Sequence, residues 1–379
     1  MIDIKKNNKW RCCGCNACAE SCPNNAIRMV PDEEGFQYPS VDRELCSGCN
    51  LCNKICAFAK SSPEDHSPLR VLAAQSNSVD ILKASTSGGI FTVLSDYVFH
   101  KNGVVYGAAF DKNLIVRHLR AETPYERDQM RGSKYVQSDT CGIYKKVKKD
   151  LKDKKLVLFT GTPCQIDGLM SFLGNMSTDN LICCDLICNG VPSPLIWKEY
   201  VKFLEHKRKS KMTSYQFRPK DWGWHNKNCK CIFENGLSYH SDAYTNLFKE
   251  LYYLRFISRS SCHKCRYMST ARVSDITIGD CRGIDKVIPD FPSYNGVSLV
   301  LVNTVKGLKI FESISSNLNY MDVNLKELMQ PPLDHSSNPN TNRNEFWGAY
   351  FTRGFQAAIF KVFGKYYALK FFIRKLLNR

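Results

Sequence analysis

The sequence predicts an α+β protein made of a small cysteine-rich module, a larger α/β body and a closing C-terminal helix. Three observations predict it: a duplicated run of four cysteines before residue 60, apolar runs alternating with helical segments from Arg70 onward, and a helical apolar seam at the end of the chain.

The duplication comes first. Cys12, Cys15, Cys18 and Cys22 follow C-x2-C-x2-C-x3-C with Pro23 next, and Cys46, Cys49, Cys52 and Cys56 repeat the pattern 34 residues later. Three cysteines at two-residue gaps let a tight loop wrap one face of a 4Fe-4S cubane, and the fourth of each run ligates the other cluster. Cluster one then takes Cys12, Cys15, Cys18 and Cys56, and cluster two takes Cys46, Cys49, Cys52 and Cys22. Structural zinc is the competing chemistry, but zinc closes with four ligands, usually two separated pairs. Residues 1–60 therefore read as a bacterial-type two-cluster ferredoxin fold. Cys13 is a spare thiol, read as packed. Ala57 stands where the second proline is expected, and residues 35–42 read as a short strand pair joining the halves. Residues 61–69, polar with two prolines, read as a linker.

The body follows. Residues 71–76, 104–110 and 156–161 are apolar runs, and 90–103 and 146–155 read as helices between them, which is α/β grammar. Ser85-Thr86-Ser87-Gly88-Gly89 opens the first of these helices, so its backbone N–H groups suit a phosphate, with ordinary capping as the plain alternative. Lys134, amid small residues in 131–138, suits a phosphate or a flavin ring, or else solvent. The strand 156–161 runs into Gly161-Thr162-Pro163-Cys164, the position where open α/β sheets place ligands.

Composition bounds the rest. A chain of 379 residues exceeds a ferredoxin alone and can hold two or three domains. Nineteen cysteines without a signal-like N-terminus are expected to be reduced and cytoplasmic. No window of about twenty residues is free of charge, which argues against a spanning helix. The net charge of +17 is eased by the clusters, each about −2 when oxidised. What remains favours an acidic partner, substrate or lipid surface, while no zinc finger, RNA-binding signature or basic arm supports nucleic acid.

The series STSGG, GSKYVQS, GTPCQIDGL, DLICNGVPSP, SCHKC and SDITIGD, in this order behind the module and over roughly residues 10–330, resembles the coenzyme F-420 hydrogenase/dehydrogenase beta-subunit family. The resemblance implies an iron–sulfur flavoprotein in which FAD exchanges hydride with an organic substrate and single electrons with clusters. By position it implies flavin contacts at Ser87, Gly88, Gly89, Ser133 and Lys134, beside Gly161 and Thr162 at the strand end. Thr86 stands where many members have glutamine. Cys164, Cys188, Cys262 and Cys265 match the family's cysteine positions and make a third set, read as a third 4Fe-4S centre with structural zinc as the alternative. Cys281 is a further candidate ligand; Cys141, Cys183, Cys184, Cys229 and Cys231 read as ordinary thiols.

The domain organisation expected is the module at 1–60, the linker at 61–69, an N-terminal α/β region at 70–150, a C-terminal region with the third cluster at 151–330, and a basic aromatic helical tail at 331–379. The function expected is a cytoplasmic FAD-dependent oxidoreductase passing electrons between its clusters and an organic substrate of unknown identity. By resemblance to some relatives, that substrate belongs to surface-polysaccharide synthesis. The alternative is a non-catalytic electron-transfer subunit docking on a partner oxidoreductase. A reduced ferredoxin or another oxidoreductase subunit is the expected redox partner. No catalytic acid is assigned: His118 and His225 are candidates against a structural role, Trp222 and Trp224 line a pocket or fill the core, and Asp275 and Asp280 contact a ligand or cap a strand. After Glu345 the chain has no acidic residue, and apolar positions from Phe355 through Ile359, Val362, Tyr366 and Leu369 to Leu376 form a helical seam. Two readings stand for residues 354–379: a docked terminal helix, or a helix lying in the inner membrane surface.

Overall fold

The computed structural model describes residues 6–59, 67–226, 228–240, 242–367 and 369. It is an α+β protein. The module holds one antiparallel hairpin, β1 (Ile27–Pro31) and β2 (Gln37–Val41), between two short helical turns at Ala17–Glu20 and Leu51–Lys54. The strand pair expected within 35–42 is therefore half there: its second strand lies in that stretch, and its partner lies upstream. Gly35, at φ +81°, turns between them.

The body is an eight-stranded mixed sheet. Its strands are β3 (Arg70–Ser76), β4 (Val104–Phe110), β5 (Val116–Ala121), β6 (Val157–Gly161), β7 (Leu181–Leu186), β11 (Ile276–Asp280), β12 (Ser298–Val302) and β13 (Leu318–Asp322). They run in the order β13-β3-β12-β11-β7-β6-β4-β5. β4, β6, β7 and β11 are parallel neighbours, while β12, β3 and β13 extend the sheet antiparallel. Strands covered on both faces read as continuous apolar runs, as in Ser298-Leu299-Val300-Leu301-Val302, where every residue is buried. Helix Ile90–His100 packs on one side with Val93, Leu94 and Val98, and helices Ile143–Lys152 and Pro163–Leu173 pack on the other.

A second, aromatic core lies beside the sheet. There a three-stranded sheet of β8 (Met212–Gln216), β9 (Lys230–Phe233) and β10 (Ser238–His240) packs with helices Pro194–Arg208, Ala243–Tyr253 and Arg343–Phe363. The last helix breaks at Gly354, and beyond the break Phe355, Ala358 and Ile359 are buried in this core. Phe360 and Tyr366 are exposed. The linker up to residue 66 and the seam beyond Leu369 lie outside the described residues.

Candidate functional site

Each cysteine run bends twice through left-handed backbone, at Gly14 (φ +71°) and Asn16 (φ +67°) in the first and at Gly48 (φ +71°) and Asn50 (φ +60°) in the second. Glycine and asparagine tolerate that region, and the repeat of C-x-G-C-N-x-C in the sequence carries this second signal besides the sulfur spacing. Cys12, Cys15, Cys18 and Cys56 are near neighbours: burial raises the Cys12 thiol to about 11, and the surrounding thiols of Cys15 and Cys56 add to it. Cys22, Cys46, Cys49 and Cys52 line one small hollow. Cys49 is at the surface, where the Leu51 N–H holds its thiol below the usual value.

The body closes over the first set. Helix Pro163–Leu173 puts Cys164 and Gly168 on one face, four residues apart. A Cβ on Gly168 would stand 2.8 Å from Cys15 Cβ and 2.9 Å from Cys15 Sγ, so only glycine lets the helix approach the cysteine loop this closely. Cys13 sits between the two segments, close to both Cys15 and Cys164. That contact holds Cys15 and Cys164 low and Cys13 well above the ordinary range. Arg266 Nη1 donates to Ala57 O at 2.6 Å, and Phe58 meets Tyr267 edge-on.

Cys164 begins the third group. It follows β6, Cys188 follows β7, Cys262 lies within the short helical turn at Ser260–Lys264, and Cys265 ends that turn. Burial raises Cys188 well above the thiol range, and Cys262, Cys164 and Cys265 follow as causes. Cys262 is pushed up to about 12 and Cys265 to about 11 in the same way. The four thus lie near one another. Among the described residues no three His, Cys, Asp or Glu side chains converge on a single ion, in this group or in the module. Cys281 lies apart, buried with Trp224, Ile284 and Phe291, because its strand end turns into a different apolar cluster.

Cys188 also lines a cleft of about 300 Å³ at the carboxyl ends of β4, β6, β7 and β11. Ser87, Gly89, Ser133, Lys134, Gly161 and Thr162 line it. Gly88 does not: it lies behind the cleft, where a Cβ would stand 2.3 Å from Ala74 O, and its N–H donates to Ser298 Oγ at 3.0 Å. Lys220 holds the loop from below, its Nζ donating to Leu82 O at 2.7 Å, to Ser87 O at 2.6 Å and to Asn295 O. Thr86 Oγ1 accepts from Ser133 N at 3.1 Å and so joins the two cleft loops. Gln165 Oε1 accepts from Thr162 N at 3.0 Å, and its Nε2 donates to Ser138 Oγ at 3.0 Å.

The cleft is cationic. Arg131, Lys134, Arg218 and Arg282 line it, with Asp280 paired to Arg218. Burial lowers Lys134 to about 7, and its Nζ donates to the carbonyls of Gln129 and Arg131 at 2.9 and 2.8 Å. Lys134 is thus not a solvated lysine. Arg131 Nε and His118 Nδ1 are buried without a protein partner, the mark of a site shaped for a further polar group. His225 is exposed and 3.1 Å from Asp285, and Trp222 lies against His240 at the surface, tilted with ring centroids 4.3 Å apart, so neither enters the cleft. Trp224 fills core. Asp275 caps its strand, accepting from Cys183 N at 2.9 Å and Thr304 Oγ1 at 2.8 Å. Sequence reasoning missed Arg131, Arg218 and Arg282 here, and Arg259 at the module junction, because isolated arginines carry no motif.

Residues 154–325 match the family model for the C terminus of the coenzyme F420 hydrogenase/dehydrogenase beta subunit, and residues 11–60 match that of the 4Fe-4S dicluster domain. Among curated proteins none matches the chain. A solved structure of the F420-reducing [NiFe] hydrogenase complex from Methanosarcina barkeri, a xenon derivative, is similar at 18% identity over 79% of this chain and 94% of that one, with a TM-score of 0.48.

Proposed function

We propose that this chain, whose residues 154–325 belong to the coenzyme F420 hydrogenase/dehydrogenase beta-subunit family behind a 4Fe-4S dicluster domain, is an iron–sulfur flavoprotein oxidoreductase. The line of sulfurs carries the reading. It starts at exposed Cys49, passes the inner set of Cys12, Cys15, Cys18 and Cys56, crosses Cys13 to Cys164, and ends at Cys188, which lines the cationic cleft.

The ligand assignment follows: two cubanes in the module as the motif pairs them, and a third at Cys164, Cys188, Cys262 and Cys265. Iron–sulfur is preferred to zinc there because a flavin exchanging single electrons with a distant module gains an intermediate relay. FAD fits the cleft by chemistry: Arg131, whose Nε has no protein partner, and Lys134 suit phosphate, and the Ser87-Gly89 and Gly161-Thr162 loops offer open backbone to a ring. When bound, FAD supplies the exchange between two-electron and one-electron chemistry. The chain's residues would hold it: Lys220 fixes the first loop, Gln165 the second, and Arg218 paired with Asp280 lines the same cleft. The same cations suit an anionic organic substrate, such as one in surface-polysaccharide synthesis. The partner proposed is a reduced ferredoxin or another oxidoreductase subunit docking near Cys49, and the domain divisions at 60, 69, 150 and 330 are proposed with it. Among the described residues no helix is long and apolar enough to cross a membrane.

Anaerobic purification with iron, sulfide, zinc and flavin analysis tests the reading. About twelve irons and one FAD per chain are expected, four irons to each cubane. Iron near eight with stoichiometric zinc removes the third cluster. No flavin after reconstitution leaves an electron-transfer subunit instead of an enzyme.

A further inference from the structure

We infer that Arg259 is the counter-charge of the cluster held by Cys12, Cys15, Cys18 and Cys56, a positioning residue that sets that cluster's reduction potential; the inference rests on the cluster assignment proposed above. Arg259 is wholly buried, with 0% of its surface exposed, where the module meets the body. Its Nε donates to Cys12 O at 2.9 Å, Nη2 to Gln37 O at 2.9 Å, and Nη1 to Gln137 Oε1 at 3.0 Å. Nη2 also points at Cys12 Sγ, 3.8 Å away. The guanidinium lies over Tyr38 at 4.3 Å and Phe36 at 5.3 Å, and the thiols of Cys13 and Cys262 are in its field. Gly14 is pressed against it: a Cβ there would be 2.9 Å from Nη1.

Among the described residues no carboxylate neighbours this charge. Every partner is a neutral oxygen, an aromatic face or a cysteine. A buried ion without a counter-ion is costly, by several kcal/mol even after relaxation. Neutral carbonyls orient a guanidinium but leave its charge in place. The charge is met when the sulfurs carry a cubane, since a centre with four thiolates holds about −2. One more electron on that centre adds negative charge beside a fixed cation in a low-dielectric interior, so Arg259 favours the reduced form. The sign is fixed: Arg259 raises the potential. Its place between Cys12 and Cys262 lets one charge act on the donor and acceptor sides of the junction together.

EPR-monitored redox titration of full-length, anaerobically loaded protein tests this, with iron counted for every sample. In Arg259→Gln the midpoint of one cluster should fall by at least 59 mV, a tenfold change in a one-electron equilibrium. The cluster at exposed Cys49 should stay in place. Arg259→Lys keeps the charge and should keep the potential near that of the unchanged protein. Should Arg259→Gln not load, Gln137→Glu sets a carboxylate against Nη1 with little change of shape, and the same fall is expected. Unchanged potentials in a fully loaded Arg259→Gln or Gln137→Glu protein overturn the inference. So does loss of four irons in Arg259→Lys, which makes the residue a strut whose charge is immaterial. Iron near eight in the unchanged protein removes the third cluster yet leaves this measurement intact, so the two failures are read separately.

Discussion

His118 stands on β5 with its ring stacked on Phe159 at 5.3 Å and its Nε2 at 2.9 Å from Thr160 O. A carbonyl only accepts, so Nε2 carries the proton and Nδ1 is a bare acceptor toward the cleft. Burial lowers the imidazole to about 4, so at neutral pH it has no second proton to give. The residue offered by sequence as a proton donor is a neutral wall. Its linkage to stability has a definite sign. The unfolded imidazole titrates near 6.5 and the folded one near 4, so the unfolded chain takes up the proton first, and stability held above pH 6.5 drains away as the pH falls. At pH 5 the loss is about 2 kcal/mol relative to neutral pH. Urea unfolding at pH 7.5 and pH 5 should show that drop in the unchanged protein and a much smaller one in His118→Gln. Equal slopes in the two proteins would remove the argument. Tautomer and burial could not be read from the sequence, because both depend on Phe159 and Thr160, some 40 positions along the chain.

At the scale of elements, sequence period was read well and its covering partner was not. The apolar seam is helical as the spacing predicts from Phe355 to Phe363, where the described helix ends, but spacing does not tell a protein core from a membrane. The break at Gly354 (φ +78°) turns the helix so that Phe355 meets Phe203 at 5.8 Å, while Phe360, one turn on, stays exposed. Truncating a buried phenylalanine typically costs about 3–5 kcal/mol, and an exposed one usually less than about 0.5. Phe355→Ala should therefore lower the urea midpoint strongly and Phe360→Ala hardly at all. If Phe360→Ala instead abolishes flotation with anionic liposomes at unchanged stability, the exposed side of this helix binds lipid. The cysteine runs lay at the other extreme of legibility. Their chemistry is fixed by gaps of two and three residues, within reach of a single loop. The third group and Arg259 needed the fold, since Arg259 meets Cys12 across 247 positions of chain.

At the scale of the whole molecule, the module and the body that the sequence marks off meet over a broad face. Composition changes sharply after residue 60, yet the module's inner face is built into the body at every level. Asn16 Nδ2 donates to Thr140 Oγ1 at 2.9 Å, and Glu20 Oε2 accepts from Lys145 N at 2.9 Å. Ser193 Oγ donates to Glu34 O, and Arg343 clasps the Glu34 carboxylate with both terminal nitrogens. Gly35 approaches the body very closely: a Cβ there would stand 2.2 Å from Leu195 Cβ and 2.9 Å from Leu195 N, on backbone at φ +81°. Contacts spread over this many segments couple the stabilities of the two parts, so the module should lose its clusters when the body unfolds and not before. Under anaerobic denaturant, the visible absorbance of the clusters and the far-ultraviolet circular dichroism should fall in one coincident transition. Gly35→Ala must push Leu195 aside and strain its own backbone, and overpacking of that kind costs about 1–3 kcal/mol. It should move both signals to lower denaturant by the same amount. A cluster signal that moves alone, with the dichroism transition left in place, means that the hairpin yields by itself and that the module is a separable domain after all.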